Sequence, residues 1–408
     1  MIELLTEVGK AYFREGSASF WIMYLLAVVL VLWQYRRMQQ LTSGPSTSPA
    51  GLFLRPTIIS ALAGLVAGYV GSILLVVCGI DLGGSNFLLV FLLALCLMLI
   101  HPRFICFAYA GGILSITNIL FGFPHLKVAQ VMGLVAILHI VESILILLTG
   151  HLDPMPVYSE RPGVGTVGGF NLQKFWPIPL IALTAAGPVS GPMSHLGWWP
   201  LINYDYSHFA HLADYLWPVL AILGYGEVTT TSTPRQRTRA SAFYLAIFSI
   251  MLLALSIWAS YHPAFLIVPA LFGPVGHEIV IRLGIKAESS QTPIYMQTTG
   301  GVMVLDVIKG SPAEQAGLQS RDLILSMNGV KVDSRIDVEQ ELLNLGWGET
   351  LTLVFIRDDQ RRVISLLPGP RHNLGIVSVP EIYSPLHYEL RTSRPFATIL
   401  LKIKRFIG

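Results

Sequence analysis

Residues 301–369 read GVMVLDVIKGSPAEQAGLQSRDLILSMNGVKVDSRIDVEQELLNLGWGETLTLVFIRDDQRRVISLLPG, and their local signals agree on one small α+β unit. Ser311-Pro312-Ala313-Glu314 has the form of a capping box with proline at the first helical position, and Gly317 stops that short helix. Leu323–Met327, Asn328-Gly329 and residues 330–332 read as strand, tight turn and strand, because an Asn-Gly pair accepts the positive φ angles of a two-residue hairpin. Ser334 caps a second helix with Asp337 three residues on. Val338, Leu342 and Leu345 recur at helical spacing, and Gly346 can end that helix. Leu351, Leu353 and Phe355 then alternate along a strand that turns at Asp358-Asp359 into residues 363–367.

This order of elements resembles the PDZ domains of bacterial HtrA and membrane proteases. The resemblance implies a peptide-recognition module, in which an incoming extended segment adds as a strand between a sheet edge and a helix. On that reading the edge belongs to strand 301–307 and the helix to residues 335–345. Val302, Met303, Val304, Val338, Leu342 and Leu345 are the groove candidates, with Thr299, Gly300 and Gly301 supplying backbone amides. Some of these aliphatics have an equal claim to the domain core, Val304 and Leu342 among them. PDZ domains usually carry a Gly-Leu-Gly-Phe-like loop before the binding strand, whereas Tyr295-Met-Gln-Thr-Thr-Gly-Gly-Val302 stands here.

Outward of this unit the chain changes character. Of 408 residues, 53% are hydrophobic and only 12% charged, which places the chain in the membrane class. A net charge of +3, scattered among loops, does not suit a nucleic-acid surface. Apolar stretches near 20–33, 57–80, 86–100, 103–122, 128–150, 178–198, 212–226, 240–259 and 263–282 are candidate spans, and the expectation is a polytopic α-helical domain of about eight. Those at 178–198 and 212–226 hold Pro188, Pro192, Pro200 and Pro218, so broken or re-entrant segments are the alternative there. The division is a membrane domain over 1–286, a short linker over 287–294, the PDZ domain over 295–370 and a tail over 371–408. That tail is unlike a PDZ element, and its basic and apolar end suits a membrane surface or a partner. The first apolar run reads as an anchor rather than a removed targeting peptide.

With all nine stretches crossing, one threading places Arg36, Arg37, Arg55, Arg103, Arg161, Lys174, Arg235, Arg237, Arg239, Arg282 and Lys286 on the cytoplasmic side. The PDZ domain lies there too. The loop at 38–54 reads as a flexible linker. Gly163-Val-Gly-Thr-Val-Gly-Gly169 lacks a P-loop lysine and reads as a turn-rich loop.

A membrane chain with a PDZ domain requires a search for protease chemistry. In His277-Glu278-Ile279-Val280-Ile281, isoleucine stands where a metalloprotease motif needs its second histidine. Pro188-Val189-Ser190-Gly191 has proline where a serine protease of the membrane has glycine. No catalytic residue, metal ligand or cofactor is assigned from sequence. Cys78, Cys96 and Cys106 show no ligand spacing and read as buried thiols. His139 and Glu142 share one helix face, as do His208, His211 and Asp214. These polar groups read as interhelical hydrogen-bonding residues, with a proton or ion path as the sharper alternative. Gly64 and Gly68 read as a small-residue face for close helix packing.

Val167-Gly-Gly-Phe-Asn-Leu-Gln-Lys-Phe-Trp-Pro-Ile-Pro179, His195-Leu-Gly-Trp-Trp-Pro-Leu201 and Gly276-His-Glu278, in a polytopic chain ending in a PDZ domain, resemble the MinJ family of cell-division topological determinants. The resemblance implies a scaffold without covalent chemistry, in a bacterial cell membrane, enriched at septum and poles. The implied partners are DivIVA-like and MinD-like division proteins; a homo-oligomer is left open. The competing readings are an intramembrane protease with a degenerate motif and a transporter-like protein with a regulatory PDZ domain.

Overall fold

A computed structural model of the chain describes residues 2–13, 18–42, 53–82, 86–184, 198–203, 216–370 and 373–381. Helices α1 (Ile2–Phe13), α2 (Ala18–Thr42), α3 (Leu54–Cys78), α4 (Phe87–Ile100), α5 (Phe107–Phe121) and α6 (Val128–Thr149) come first. Strands β1 (Met155–Arg161), β2 (Gly165–Asn171), β3 (Lys174–Leu183), β4 (Leu216–Tyr225) and β5 (Val228–Thr229) come next, then helices α7 (Pro234–Tyr261) and α8 (Ile267–Ser290). Among the described residues, five helical stretches are long and apolar enough to cross a membrane: Phe20–Gln39, Leu54–Cys78, Val128–Thr149, Pro234–Tyr261 and Pro263–Ser290. Helices α4 and α5 are apolar but shorter.

The stretches expected as spans at 178–198 and 212–226 are not helical where they are described. They contribute the paired strands β3 and β4, in register from Lys174↔Tyr225 to Leu183↔Leu216. Pro177 and Pro179 explain this correction, since prolines two apart destroy consecutive helical hydrogen bonds but fit an edge strand. Ten residues at about 3.3 Å each reach across a hydrocarbon core of about 30 Å. Residues 185–197 and 204–215, with Pro188, Ser190, Pro192, His208, His211 and Asp214, lie outside the described residues.

An edge strand among apolar helices must satisfy its outward amides without water. The Phe175 amide donates to Tyr35 Oη at 3.2 Å and the Ile181 amide to Ser72 Oγ at 2.8 Å. Between them, Pro177 and Pro179 have no amide hydrogen to satisfy. Their carbonyls press on α3, where a Cβ at Gly64 or Gly68 would stand 2.0 or 2.1 Å from the carbonyl oxygen of Pro177 or Pro179. The small-residue face of α3 therefore receives a strand rather than the helix expected for it.

Both doubtful stretches lie in one hairpin, so losing them as separate spans leaves the parity of the threading unchanged. Several of the basic residues grouped by that threading are paired with carboxylates. Arg55 and Lys309 meet on Asp153, Arg161 pairs with Glu288, and Arg237 pairs with Glu227.

The glycine-rich phrase 163–169 is not a loop throughout. It turns β1 into β2, antiparallel from Met155↔Asn171 to Arg161↔Gly165, and β5 extends the sheet. Gly169 lies so close to β5 that a Cβ would meet the Thr229 carbonyl oxygen at 2.6 Å. This small sheet is a seat for the carboxy-terminal unit. The segment expected as a linker begins inside α8, where Glu288 accepts from the Thr230 amide and from the hydroxyls of Thr230 and Thr231. Ile294 donates to Thr230, and the Tyr295 carbonyl accepts from the Gly168 amide.

Strands β6 (Val302–Val307), β7 (Leu323–Met327), β8 (Val330–Lys331), β9 (Leu351–Arg357), β10 (Gln360–Leu366) and β11 (Ile376–Ser378), with helices α9 (Pro312–Gln315) and α10 (Arg335–Leu343), form the last unit. Ser334 with Asp337 forms the reciprocal box read from sequence, whereas at the other helix Ser311 accepts from the Glu314 amide but the Glu314 carboxylate returns to the Gly310 amide rather than to that of Ser311. Asn328-Gly329 and Asp358-Asp359 all have positive φ, as two-residue hairpins require. The unit has its own core of Val302, Val304, Ile324, Met327, Leu351, Leu353 and Phe355 among others.

Candidate peptide-binding groove

The sheet order is β10-β9-β7-β6-β11, and it covers the edge of 301–307 expected to be open. Strand β6 has β7 on one side and β11 on the other, so the edge of 301–307 is not open. Ile376 pairs with Val307 and Val377 with Asp306. The Ile308 amide donates to the Gly375 carbonyl at 2.8 Å, and the Val379 amide to the Met303 carbonyl at 3.0 Å. Residues expected in a tail unlike any PDZ element thus complete the sheet.

The physical cause is a turn at Asn373-Leu374-Gly375. Asn373 Oδ1 accepts from the Gly375 amide at 2.8 Å, and Gly375 has φ +78°, the left-handed region that favours glycine. A Cβ there would also stand 2.1 Å from Ser311 Cβ. Leu374 is buried in the PDZ core and its carbonyl accepts from Ala313. Leu374-Gly375-Ile376, ahead of an edge strand, is the Gly-Leu-Gly-Phe-like phrase that the segment 295–302 lacks. That short phrase is the signal in the sequence that marks the true edge.

The aliphatics chosen from sequence distribute accordingly. Val302, Val304, Val338 and Leu345 are buried in the domain core, and Leu342 packs against it half-buried. Met303 packs instead toward the core of the membrane domain. Thr299 and Gly300 are exposed in the turn before β6, and Gly301 is buried where a Cβ would meet the Ile324 carbonyl oxygen at 2.7 Å.

A cavity of ≈ 220 Å³ lies between the first turn of α10 and the chain leaving β11. Arg335, Ile336 and Glu339 line one side, Ser378, Val379, Pro380 and Glu381 the other, and Tyr158 of β1 closes one end. Ile336 is 58% exposed, an apolar side chain that lines the cavity and is open to solvent. The Glu381 carboxylate accepts from the Arg335 amide at 3.2 Å, and an acid suits that helix N-terminus. Arg335 Nε also pairs with Glu339 at 2.8 Å.

Electrostatics near the groove depend on burial and hydrogen bonding. Burial pushes the Asp306 carboxyl up to about 6, against the opposing effect of the Val307 amide. The amide of Asp333, aided by Ser334, holds the exposed Asp337 carboxyl below the usual range. In the membrane domain, Glu278 is held by Arg103, by Arg282 Nε at 2.8 Å and by Tyr109 Oη at 2.9 Å. It is therefore committed to ion pairing.

A PDZ domain model matches residues 282–367. The chain is 26% identical over 263 residues to the cell division topological determinant MinJ of Bacillus subtilis (strain 168), covering 62% of each protein. It is 34% identical over 84 residues to serine protease HTRA1 of Xenopus tropicalis, covering 21% of this chain and 18% of that one. Among solved structures, the PDZ domain of an SdrC-like protein from Listeria monocytogenes is 21% identical with a TM-score of 0.18, covering 20% of this chain and 90% of that one. The chain spans less than two thirds of the length of these curated relatives. Similarity to the proteases is confined to the PDZ domain. Apolar helices followed by a PDZ domain make this chain similar to the cell-division determinant MinJ.

Proposed function

We propose that the chain is a membrane-anchored adaptor whose PDZ domain recognises protein partners and positions cell-division machinery at septum and poles. Its partners are DivIVA-like and MinD-like proteins, bridged on the cytoplasmic face. The similarity to MinJ over 62% of the chain carries this reading. The groove between β11 and α10 supports protein recognition, since a sheet edge beside a helix can take an extended segment. Glu278, committed to two arginines and a tyrosine, gives no support to a protease.

The PDZ domain is seated rather than loosely tethered. Leu305 and Val379 belong to the same buried cluster as helix α6 and Trp176 of the membrane domain. A partner docking beside β11 would therefore be held close to the bilayer and in one orientation.

The test is the distribution of the fluorescently tagged full chain in dividing rod-shaped cells, compared with a chain lacking 295–381. Enrichment at septa and poles that is lost with the deletion, together with misplaced division, is the expected result. Uniform membrane distribution with normal division would overturn the reading. Ile336→Asp in the full chain separates groove from scaffold, because it should abolish partner capture while leaving membrane insertion intact.

A further inference from the structure

Helices distant in sequence bring three metal-ligating side chains together inside the membrane domain. Cys106 caps α5, His139 lies midway along α6, and His277 lies on α8. Cys106 Sγ is 3.0 Å from His139 Nε2 and 3.5 Å from His277 Nε2. One ligand atom from each residue lies within 4.8 Å of the other two. Tetrahedral zinc with one sulfur and two nitrogens requires S···N separations of about 3.5 Å, so small side-chain shifts would make room for an ion.

We propose that Cys106, His139 and His277 bind a single zinc-type divalent cation that ties α5, α6 and α8 together. The His139 tautomer favours this. Its Nδ1 lies 2.7 Å from the Val135 carbonyl, which can only accept, so Nδ1 carries the hydrogen and the Nε2 lone pair points at Cys106. Backbone support of one ring nitrogen while the other faces a metal is the usual arrangement of a ligating histidine. Aromatic rings pack around the ligands: Phe248 meets both imidazoles edge-on, and Tyr109 meets His277.

A Cys-His-His donor set is borderline-soft, which selects zinc over magnesium or calcium. Binding replaces the Cys106 S–H bond by a sulfur–metal bond, and the proton passes to buffer. Three protein ligands leave a fourth position of the tetrahedron to be filled. The neighbouring Glu278 is engaged by Arg103 and Arg282, so the inferred role of the ion is structural.

The test uses the full chain in detergent, stripped with chelator and then titrated with Zn²⁺ or Co²⁺ alone. About one ion per chain is expected, with a sulfur-to-cobalt charge-transfer absorption that Zn²⁺ displaces. Cys106→Ser should abolish that absorption, His277→Ala should weaken affinity by about tenfold or more, and Cys78→Ser should change neither. Should a variant fail to fold, the wild-type titration still decides. A monodisperse wild-type chain that binds well under one ion, or binds Co²⁺ without the thiolate absorption, would overturn the proposal and leave a thiol–imidazole hydrogen-bond cluster.

Discussion

Tyr158 donates its phenolic hydrogen to the Ser378 carbonyl at 2.8 Å, joining the membrane-side hairpin to the last strand of the PDZ sheet. The two residues are 220 positions apart in the chain, yet the bond fixes one end of the candidate groove. Tyr158→Phe removes that bond alone and should loosen β11 by about 1 kcal/mol. Hydrogen exchange at residues 376–379 should then quicken about fivefold, with residues 351–357 unchanged. Unchanged exchange at 376–379 would show that β11 does not depend on the hairpin.

Asp306 gives the PDZ domain a pH dependence of definite sign. Its folded carboxyl, raised by burial to about 6, binds a proton more tightly than the unfolded chain, whose value is near 3.8. Stability from this group is therefore greatest below about 4, falls as the pH rises toward 6, and is level above it. Asp306→Asn should remove that decline, so its melting advantage over wild type should be larger at pH 7 than at pH 5. An equal effect at both pH values would contradict the buried acid.

Arg357 and Asp322 form a bidentate pair, with Nε to Oδ1 at 2.6 Å and Nη2 to Oδ2 at 2.5 Å. The Asp322 side chain is 1% exposed. Arg357→Met strands that carboxylate and should destabilise the PDZ domain by about 3 kcal/mol. The double variant with Asp322→Asn should recover part of the loss, as thermal scans of the full chain would report.

Legibility in the sequence tracks how local each determinant is. The caps at Ser311 and Ser334 and the turns at Asn328 and Asp358 are settled within four residues, so most of the PDZ unit can be read directly. Strand β11 has only three residues and exists through pairing with β6, some 70 positions earlier, so by itself it looks like part of a tail. The apolar stretch at 178–183 suits a span or a strand equally. Pro177 and Pro179, at its amino-terminal end, are the residues that discriminate between the two. Cys106, His139 and His277 lie on three helices, and no local spacing announces their meeting.

Gly68 tests the strand-on-helix packing. Gly68→Ala would drive a methyl into the Pro179 carbonyl oxygen, 2.1 Å from an ideal Cβ, and should cost about 1 to 3 kcal/mol. Gly9→Ala is the control, because its Cβ would meet only Tyr69 Oη at an ordinary 3.6 Å, and helix propensity favours alanine there. Melting of the detergent-solubilised chain should fall for the first variant and hold or rise for the second.

Strand β11 also governs when the PDZ sheet can close during synthesis. Every other strand of that sheet has left the ribosome once Leu366 has, but the edge of β6 finds its neighbour only when Ile376–Ser378 has also emerged. Until then the nascent domain carries a bare strand edge at the mouth of the ribosome, where neighbouring nascent chains of the same protein could pair with it. A chain arrested after Leu366 has emerged and before Ile376 has would hold a domain whose core strands are all present and whose rim is adhesive.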